Sequence, residues 1–228
     1  MPAGRLTGMP LRNRVTPFGE IVAVPGRGLL MGNRGILHDA QRAIIRDSQV
    51  RRWIACRLEF RGRHRTLMRP GSYTELFFLD EAAALAAGHR PCAECRRPDY
   101  QAFQAAWRLV HPGAPASADV VDARLHSERR LRPWVKRTYL GQLADLPDGT
   151  YVALDGRAWL VWRDRLFAWA ADRYVDHRPR PPRGPVTVLT PPSLVGVLQA
   201  GYRPVVHPSA SGPRLETWPS VQREGGHA

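Results

Sequence analysis

Two of the chain's three cysteines stand as Cys92-x-x-Cys95 within GHRPCAECRRPDY, flanked by basic residues. A C-x-x-C knuckle places two thiolates where they can chelate one ion, and a tetrahedral zinc site then takes two more Cys or His ligands from elsewhere. The same spacing serves redox couples, and a helix starting near Pro98 would lower a neighbouring thiol's pKa. Redox pairs usually follow a strand and open the helix themselves, whereas this pair follows a helix and a glycine. The pattern favours metal, ahead of inert buried thiols, and places a redox couple last. Three cysteines cannot build a disulfide framework, which agrees with a reducing compartment.

A second group with chemical potential is DARLHSERR, Asp122 to Arg130. On a helix Asp122 and His126 share a face, so the carboxylate could orient the imidazole as a general base, with Glu128 and Arg129 alongside. Facing nucleic acid, such a set would cleave phosphodiester or glycosidic bonds while Arg129 held a phosphate. The commoner reading of the same residues is an exposed helix laced with opposite charges. MGNRG, Met31 to Gly35, could offer backbone N–H groups and Arg34 to a phosphate, or be a plain glycine turn. No P-loop, dinucleotide fingerprint or H-E-x-x-H motif occurs.

Around these residues the chain alternates between short strands and short helices. Residues 1–36 read as loops and short strands, FGEIVAV being the clearest strand. RRWIACRLEF alternates, with Ile54, Cys56, Leu58 and Phe60 on one face and Arg57 and Glu59 on the other, which predicts a half-buried strand with Cys56 on its apolar side. ELFFL predicts another strand. DEAAALAAG predicts a helix capped by Asp80 and stopped at Gly88. PDYQAFQAAWRLV predicts a second helix that buries Tyr100, Phe103, Ala106, Trp107 and Val110, and VVDARLHSERRL a short third.

From Leu146 the character turns to β. YVALDGRAWLVWRDRLFAWA predicts three strands that reverse at Asp155-Gly156 and Arg163-Asp164. HRPRPPRGP, His177 to Pro185, reads as a stiff connector. VTVL reads as a strand and PPSLVGVLQAG as a helix ending at Gly201, and the tail from Ser209 is expected to be disordered. The expected fold class is α+β. A small zinc-stapled α/β module over residues 1–130 is followed by a β-rich meander unit over 131–208 and a tail over 209–228.

The formal net charge of +14 predicts attraction to polyanions, nucleic acid first and anionic membrane second. Of the 34 basic residues only Lys136 is a lysine, and with abundant Ala, Gly and Pro this is also what a GC-rich genome produces. Distribution says more than the total. Arg42 to Arg69 holds nine arginines and His64 against only Asp47 and Glu59, which predicts a nucleic-acid-facing surface there. Trp159, Trp162 and Trp169, with Arg157, Arg163 and Arg165 between them, could form a stacking sheet for a single strand, although aromatics in strands are usually core. With no apolar run of spanning length and no secretory h-region, the expected location is cytoplasmic.

The stretch YTELFFLDEAAALAAGHRPCAECRRPDY, Tyr73 to Tyr100, resembles the second half of the metal-binding N-terminal domain of the Ada DNA-repair regulators. Shared are a strand with paired phenylalanines, an alanine-rich helix, then G-[FHY]-R-P-C-x-x-C and a basic-proline exit. The match covers roughly an eighth of the chain. It implies that Cys92 and Cys95 are zinc ligands in a small α/β module that contacts the DNA backbone. The family's first half carries two further cysteines, three residues between them, after a G-I-F-type strand, and one accepts a methyl group from a DNA phosphotriester. The nearest counterpart here is GILHD, with His38 at the place of the first cysteine and no second one following. Imidazole is a poor substitute for a zinc-activated thiolate, so the resemblance does not extend to methyl transfer. The ligand set it implies is His38, Cys56, Cys92 and Cys95, a closed Cys3His structural shell. Cys56 could otherwise be an inert buried thiol and His38 a hydrogen-bonding histidine, with His89 and His64 in reserve.

The expectation is a bacterial zinc protein that contacts DNA or another nucleic acid, with no membrane partner. Arg57, Arg61, Arg63, Arg90, Arg96 and Arg97 would supply phosphate contacts, giving salt-dependent affinity without sequence choice. Two rivals remain. One is a nuclease- or glycosylase-type hydrolase using His126 and Glu128, with Asp122. The other is a protein-interaction adaptor whose charge is codon bias.

Overall fold

The computed structural model describes residues 9–62 and 66–211. The first part of the chain supplies β1 (Arg14–Val15), β2 (Ile21–Val22), β3 (Leu30–Asn33), β4 (Ile54–Arg57), β5 (Leu76–Phe78), α1 (Glu81–Ala86), β6 (Arg90–Pro91), α2 (Arg97–Val110) and α3 (Ala118–Arg129). The rest supplies β7 (Arg130–Arg132), β8 (Val135–Lys136), β9 (Tyr139–Gln142), β10 (Tyr151–Leu154), β11 (Arg157–Trp162), β12 (Arg165–Trp169), β13 (Tyr174–Pro179), β14 (Pro185–Val188) and α4 (Pro192–Gln199). One six-stranded sheet runs β2-β1-β5-β3-β4-β6 and is mixed, since β1 lies parallel to β5 and β4 parallel to β6. The other runs β13-β12-β11-β10-β14-β9 and is antiparallel throughout. The fold is α+β.

Helix α1 lies at the centre. Asp80 caps it, extended in backbone, its Oδ1 accepting from the Ala83 N–H at 2.9 Å. Gly88 follows its end at φ +89°, where a side chain would also run into Arg129. Every residue from Glu81 to Ala86 is buried. Ala82, Ala83 and Ala86 pack with Tyr151, Leu160 and Phe167 of the antiparallel sheet. Ala84 and Ala87 pack with Val15, Leu30 and Phe78 of the mixed sheet. Leu85 joins Phe103 and Trp107 of α2 and Leu194 and Leu198 of α4. Methyl side chains let all three groups approach the helix closely, so a boundary drawn at 130/131 does not separate two cores.

Two adjacent buried carboxylates fasten the rest of the chain to the start of α1. Asp80 Oδ2 accepts from the Tyr174 hydroxyl at 2.6 Å and the His207 N–H at 2.9 Å. Glu81 accepts from the Tyr202 hydroxyl at 2.6 Å and the Val205 N–H at 3.0 Å. The chain is therefore held past the point where the sequence suggested a loose tail. The Tyr174 N–H donates to Ser209 Oγ at 2.9 Å and Ala210 is buried against the α1 cluster. The remainder of that tail, 212–228, lies outside the described residues.

Two further sequence expectations change. The proline-rich stretch is not a plain connector, because β13 runs to Pro179 and β14 begins at Pro185. β13 is the edge of its sheet, where a missing N–H costs no ladder bond. The meander also offers no stacking platform of tryptophans. Both of its faces are covered, Leu160 and Val161 being fully buried, and Trp159 is core, with Trp162 and Trp169 half-buried against the α1 cluster. Among the described residues no helix is long and apolar enough to cross a membrane.

Candidate metal centre

Register across the mixed sheet builds the site. Arg14 pairs with Phe77, Phe77 with Met31 and Met31 with Cys56, so these four side chains form one row on one face. The alternate row on the other face, including Leu30, Ala55 and Phe78, goes to the α1 core. This corrects the reading of RRWIACRLEF. Its core-facing residue is Ala55, and the Ile54, Cys56, Leu58, Phe60 face is apolar because it lines a cavity.

β6 runs parallel to β4, pairing Ile54 with Arg90 and Ala55 with Pro91, and the Cys92 N–H donates to the Ala55 carbonyl at 3.0 Å. That register sets Cys92 beside Cys56. The chain then turns, the Arg96 N–H closing onto the Cys92 carbonyl at 3.1 Å, and brings Cys95 back before α2 opens. The three Sγ atoms lie within 4.8 Å of one another, so the cluster could hold a metal ion. Cys92 and Cys95 are buried and Cys56 half-buried. Thiol hydrogen bonds from Cys56 and Cys95 hold the Cys92 pKa far down, while its bonds to Cys92 and Cys95 push that of Cys56 up.

All three cysteines stand in the wall of a cavity of about 890 Å³. Arg14, Arg27 and Arg57 line it against three acids, Glu59, Glu75 and Glu94, with Arg27 4.0 Å from Glu59, and Met31, Leu58 and Phe77 supply apolar surface. Glu75 lies in the same wall and is 2% exposed. Its Oε2 accepts from the Met68 N–H at 2.7 Å, while Oε1 has no hydrogen-bond partner among the described residues. Neither Glu75 nor Phe77 was singled out from the sequence, although ELFFL alternates and places both on Cys56's face.

His38 is not part of the cluster. It is 4% exposed, its Nδ1 is 2.6 Å from Thr74 Oγ1 and its Nε2 is 3.3 Å from the Arg69 carbonyl. Its loop bridges to Ile44 instead of running beside β6, so it fills the hydrogen-bonding role of a buried histidine. His89 is fully buried between Trp53 and Phe78, its Nε2 accepting from Arg34 at 3.3 Å. His64 and Arg63 lie outside the described residues.

Two expected phosphate contacts are turned inward. Arg90 is 2% exposed and grips Asp122 with two hydrogen bonds of 2.9 and 2.8 Å. Arg96 is also 2% exposed, donating to Glu81 at 2.8 Å and Asp99 at 3.0 Å. Their charge is neutralised inside the protein and holds the thiol knuckle to α3 and α1. Arg57, Arg61 and Arg97 are exposed, Arg61 lying 4.0 Å from Glu94.

The proposed hydrolytic set does not assemble. Asp122 is committed to Arg90. Glu128 accepts from the Ser193 N–H at 2.9 Å and its hydroxyl at 2.6 Å, at the start of α4, and from Arg124 at 2.7 Å. His126 is left beside Arg129, its pKa lowered by burial and then by that arginine. Asp122 and His126, which share a helix face in projection, and Glu128, which lies off it, thus serve three different partners.

Against these features, comparison with family models, characterised proteins and solved structures gave no match.

Proposed function

We propose that the chain is a zinc protein whose thiol pocket receives a nucleic-acid strand. Cys56, Cys92 and Cys95 hold the ion, and Arg57 in the cavity wall, with the exposed Arg61 and Arg97, contacts phosphates. The observation that carries this reading is the three-thiol cluster set in the wall of an open cavity, in a chain of net charge +14. An all-sulfur donor set suits zinc over hard cations. When bound, zinc supplies a divalent positive charge that keeps the sulfurs as thiolates. The three ligands found among the described residues leave a tetrahedral ion one further position, and the cavity beside the sulfurs has room for an outside group. Among the described residues the site therefore reads as open, where a closed Cys3His shell was expected.

Elemental analysis of the untagged protein tests this. A single zinc per chain is expected, lost in Cys92→Ala and Cys56→Ala and retained in His38→Ala. DNA affinity should fall steeply with salt, with the slope reduced by about 1 in Arg57→Ala. Metal-free protein from chelator-free purification would sink the reading, as would full zinc in Cys92→Ala.

A second reading is favoured by the position of Cys56. It lies one residue before the end of β4, beside the pair, and we read it in place of His38 as the counterpart of the Ada family's first cysteine. One of the family's two further cysteines then has a counterpart, while the other still has none. In that reaction the methyl carbon–oxygen bond of a phosphotriester breaks, a carbon–sulfur bond forms at a thiolate, and a phosphodiester leaves. Intact-mass measurement after incubation with methylphosphotriester DNA decides it, since a methyl gain that vanishes in Cys56→Ala is required.

A further inference from the structure

A second cavity, of about 410 Å³, shares no lining residue with the thiol pocket. Five cations line it, Arg12, Arg34, Arg129, Arg130 and Lys136, against two carboxylates, Glu20 and Asp47, an excess of three positive charges. Arg34 and Arg129 are 1% and 2% exposed, and both guanidinium groups lie over Trp53, at 4.0 and 3.8 Å from its ring centroid.

Their hydrogen bonds go to neutral groups. Arg34 donates to His89 and, at 2.9 Å, to the Gly19 carbonyl, and Arg129 donates to the carbonyls of Gly88 and Arg51. Lys136 donates to the Ala86 carbonyl at 2.6 Å. The acid that acts on Arg34 is Asp47, whose Oδ2 already accepts from the Trp134 N–H at 2.8 Å and faces Arg130 at 3.4 Å, and the acid that acts on Arg129 is Asp122, which is committed to Arg90. Arg34 Nη2 and Arg129 Nε are buried and have no hydrogen-bond partner among the described residues. A guanidinium does not escape burial by losing its proton, so two of them beside a lysine carry the cost of desolvation and mutual repulsion. Lys136 feels the same field: burial first, then Arg34 and Arg129, push its pKa down to about 7.

We propose that this cavity is an anion site for a phosphoryl group, taken from free phosphate or a phosphate monoester, or from the terminal phosphate of a nucleic-acid strand, with Arg34, Arg129 and Lys136 as its donors. A phosphoryl dianion offsets most of that charge excess, and its oxygens can accept from both orphan donors. Trp134 and Phe18, also in the wall, offer an aromatic surface to whatever the phosphate is attached to. The inference rests on this cavity alone and stands or falls apart from the thiols.

Sodium phosphate, compared with sodium chloride at matched ionic strength, is the first probe, with thermal unfolding and calorimetric titration as readouts. Phosphate is expected to bind saturably and raise the melting temperature of the wild type. Lys136→Met keeps the stem and removes the charge. Its phosphate affinity is expected to fall about tenfold or more, while its melting temperature without phosphate rises above wild type. A purely structural lysine would behave the opposite way, losing stability and leaving phosphate affinity unchanged, and that result would overturn the proposal. So would a wild type that responds to phosphate no more than to chloride. Should the variant fail to fold, saturable broadening of the phosphorus resonance by wild-type protein supports the site and its absence rejects it. Tighter binding of a 5′-phosphorylated than a 5′-hydroxyl dinucleotide, and than phosphate itself, assigns a strand end; the reverse assigns a soluble phosphate.

Discussion

Replacing Arg96 by alanine separates an internal clamp from a DNA contact. In the pair, Arg96 and Glu81 expose only 3% and 1% of their side chains, and the bond is 2.8 Å. Removing one partner of a buried pair costs about 3–5 kcal/mol, because the other is left charged and desolvated. Glu81 keeps two donors, the Tyr202 hydroxyl and the Val205 N–H, which places the loss near the lower end, about 3 kcal/mol. The second partner, Asp99, is more than a third exposed in its side chain and adds little. For a chain of this length the loss corresponds to a melting temperature lower by about 6–12 °C. Urea unfolding followed by tryptophan fluorescence measures it, with DNA affinity recorded at fixed salt on the same preparation. Glu81→Gln and the double variant complete a cycle in which the combined loss is smaller than the sum. The reasoning is refuted if Arg96→Ala loses less than about 1 kcal/mol while DNA affinity collapses. Arg96 would then be a phosphate contact after all.

Two other outcomes follow from the same geometry. The folded-state pKa of Lys136, about 7 against an ordinary 10.5, means that above pH 7 the unfolded chain holds a proton the folded one lacks. Stability of the phosphate-free protein should therefore rise between pH 7 and about 9.5, and Lys136→Met should flatten that rise, as thermal unfolding in chloride buffers will reveal. Asp122→Ala should cost about 3–5 kcal/mol by stranding Arg90, whereas His126→Ala should stay within about 0.5 kcal/mol; a large His126 effect on any turnover with stability intact would restore the hydrolytic reading.

What the sequence made legible was local. Asp80 and Gly88 bracket α1 because capping and left-handed backbone are properties of single residues. The Asp155-Gly156 turn joins β10 to β11 for the same reason, with both residues at positive φ. The stripe of α2 is periodic, and Tyr100, Phe103, Ala106 and Trp107 are buried as expected. What was not legible depended on pairing between distant strands. Cys56 meets Cys92 only because β4 and β6 lie parallel, a contact that no window around either residue contains. His38 was matched by motif position and lost to Thr74, a hydrogen-bond partner 36 residues away. The arginines divided the same way. Arg57 and Arg96 are identical in type, and only the buried Glu81 and the half-exposed Asp99 decide that one is a rim residue and the other a strut.

The alanine helix has a thermodynamic consequence. Because α1 is a wall common to both sheets, neither sheet can open without uncovering the other's apolar face, and the two should unfold in one transition. Mass action then links the ends of the molecule. Whatever binds the thiols of the folded state raises the free energy of every opening that would release it, including that of strands touching none of the three sulfurs. Amide exchange in β10 and β11 should thus slow when metal is added, making the far sheet a reporter of occupancy at a site it never contacts.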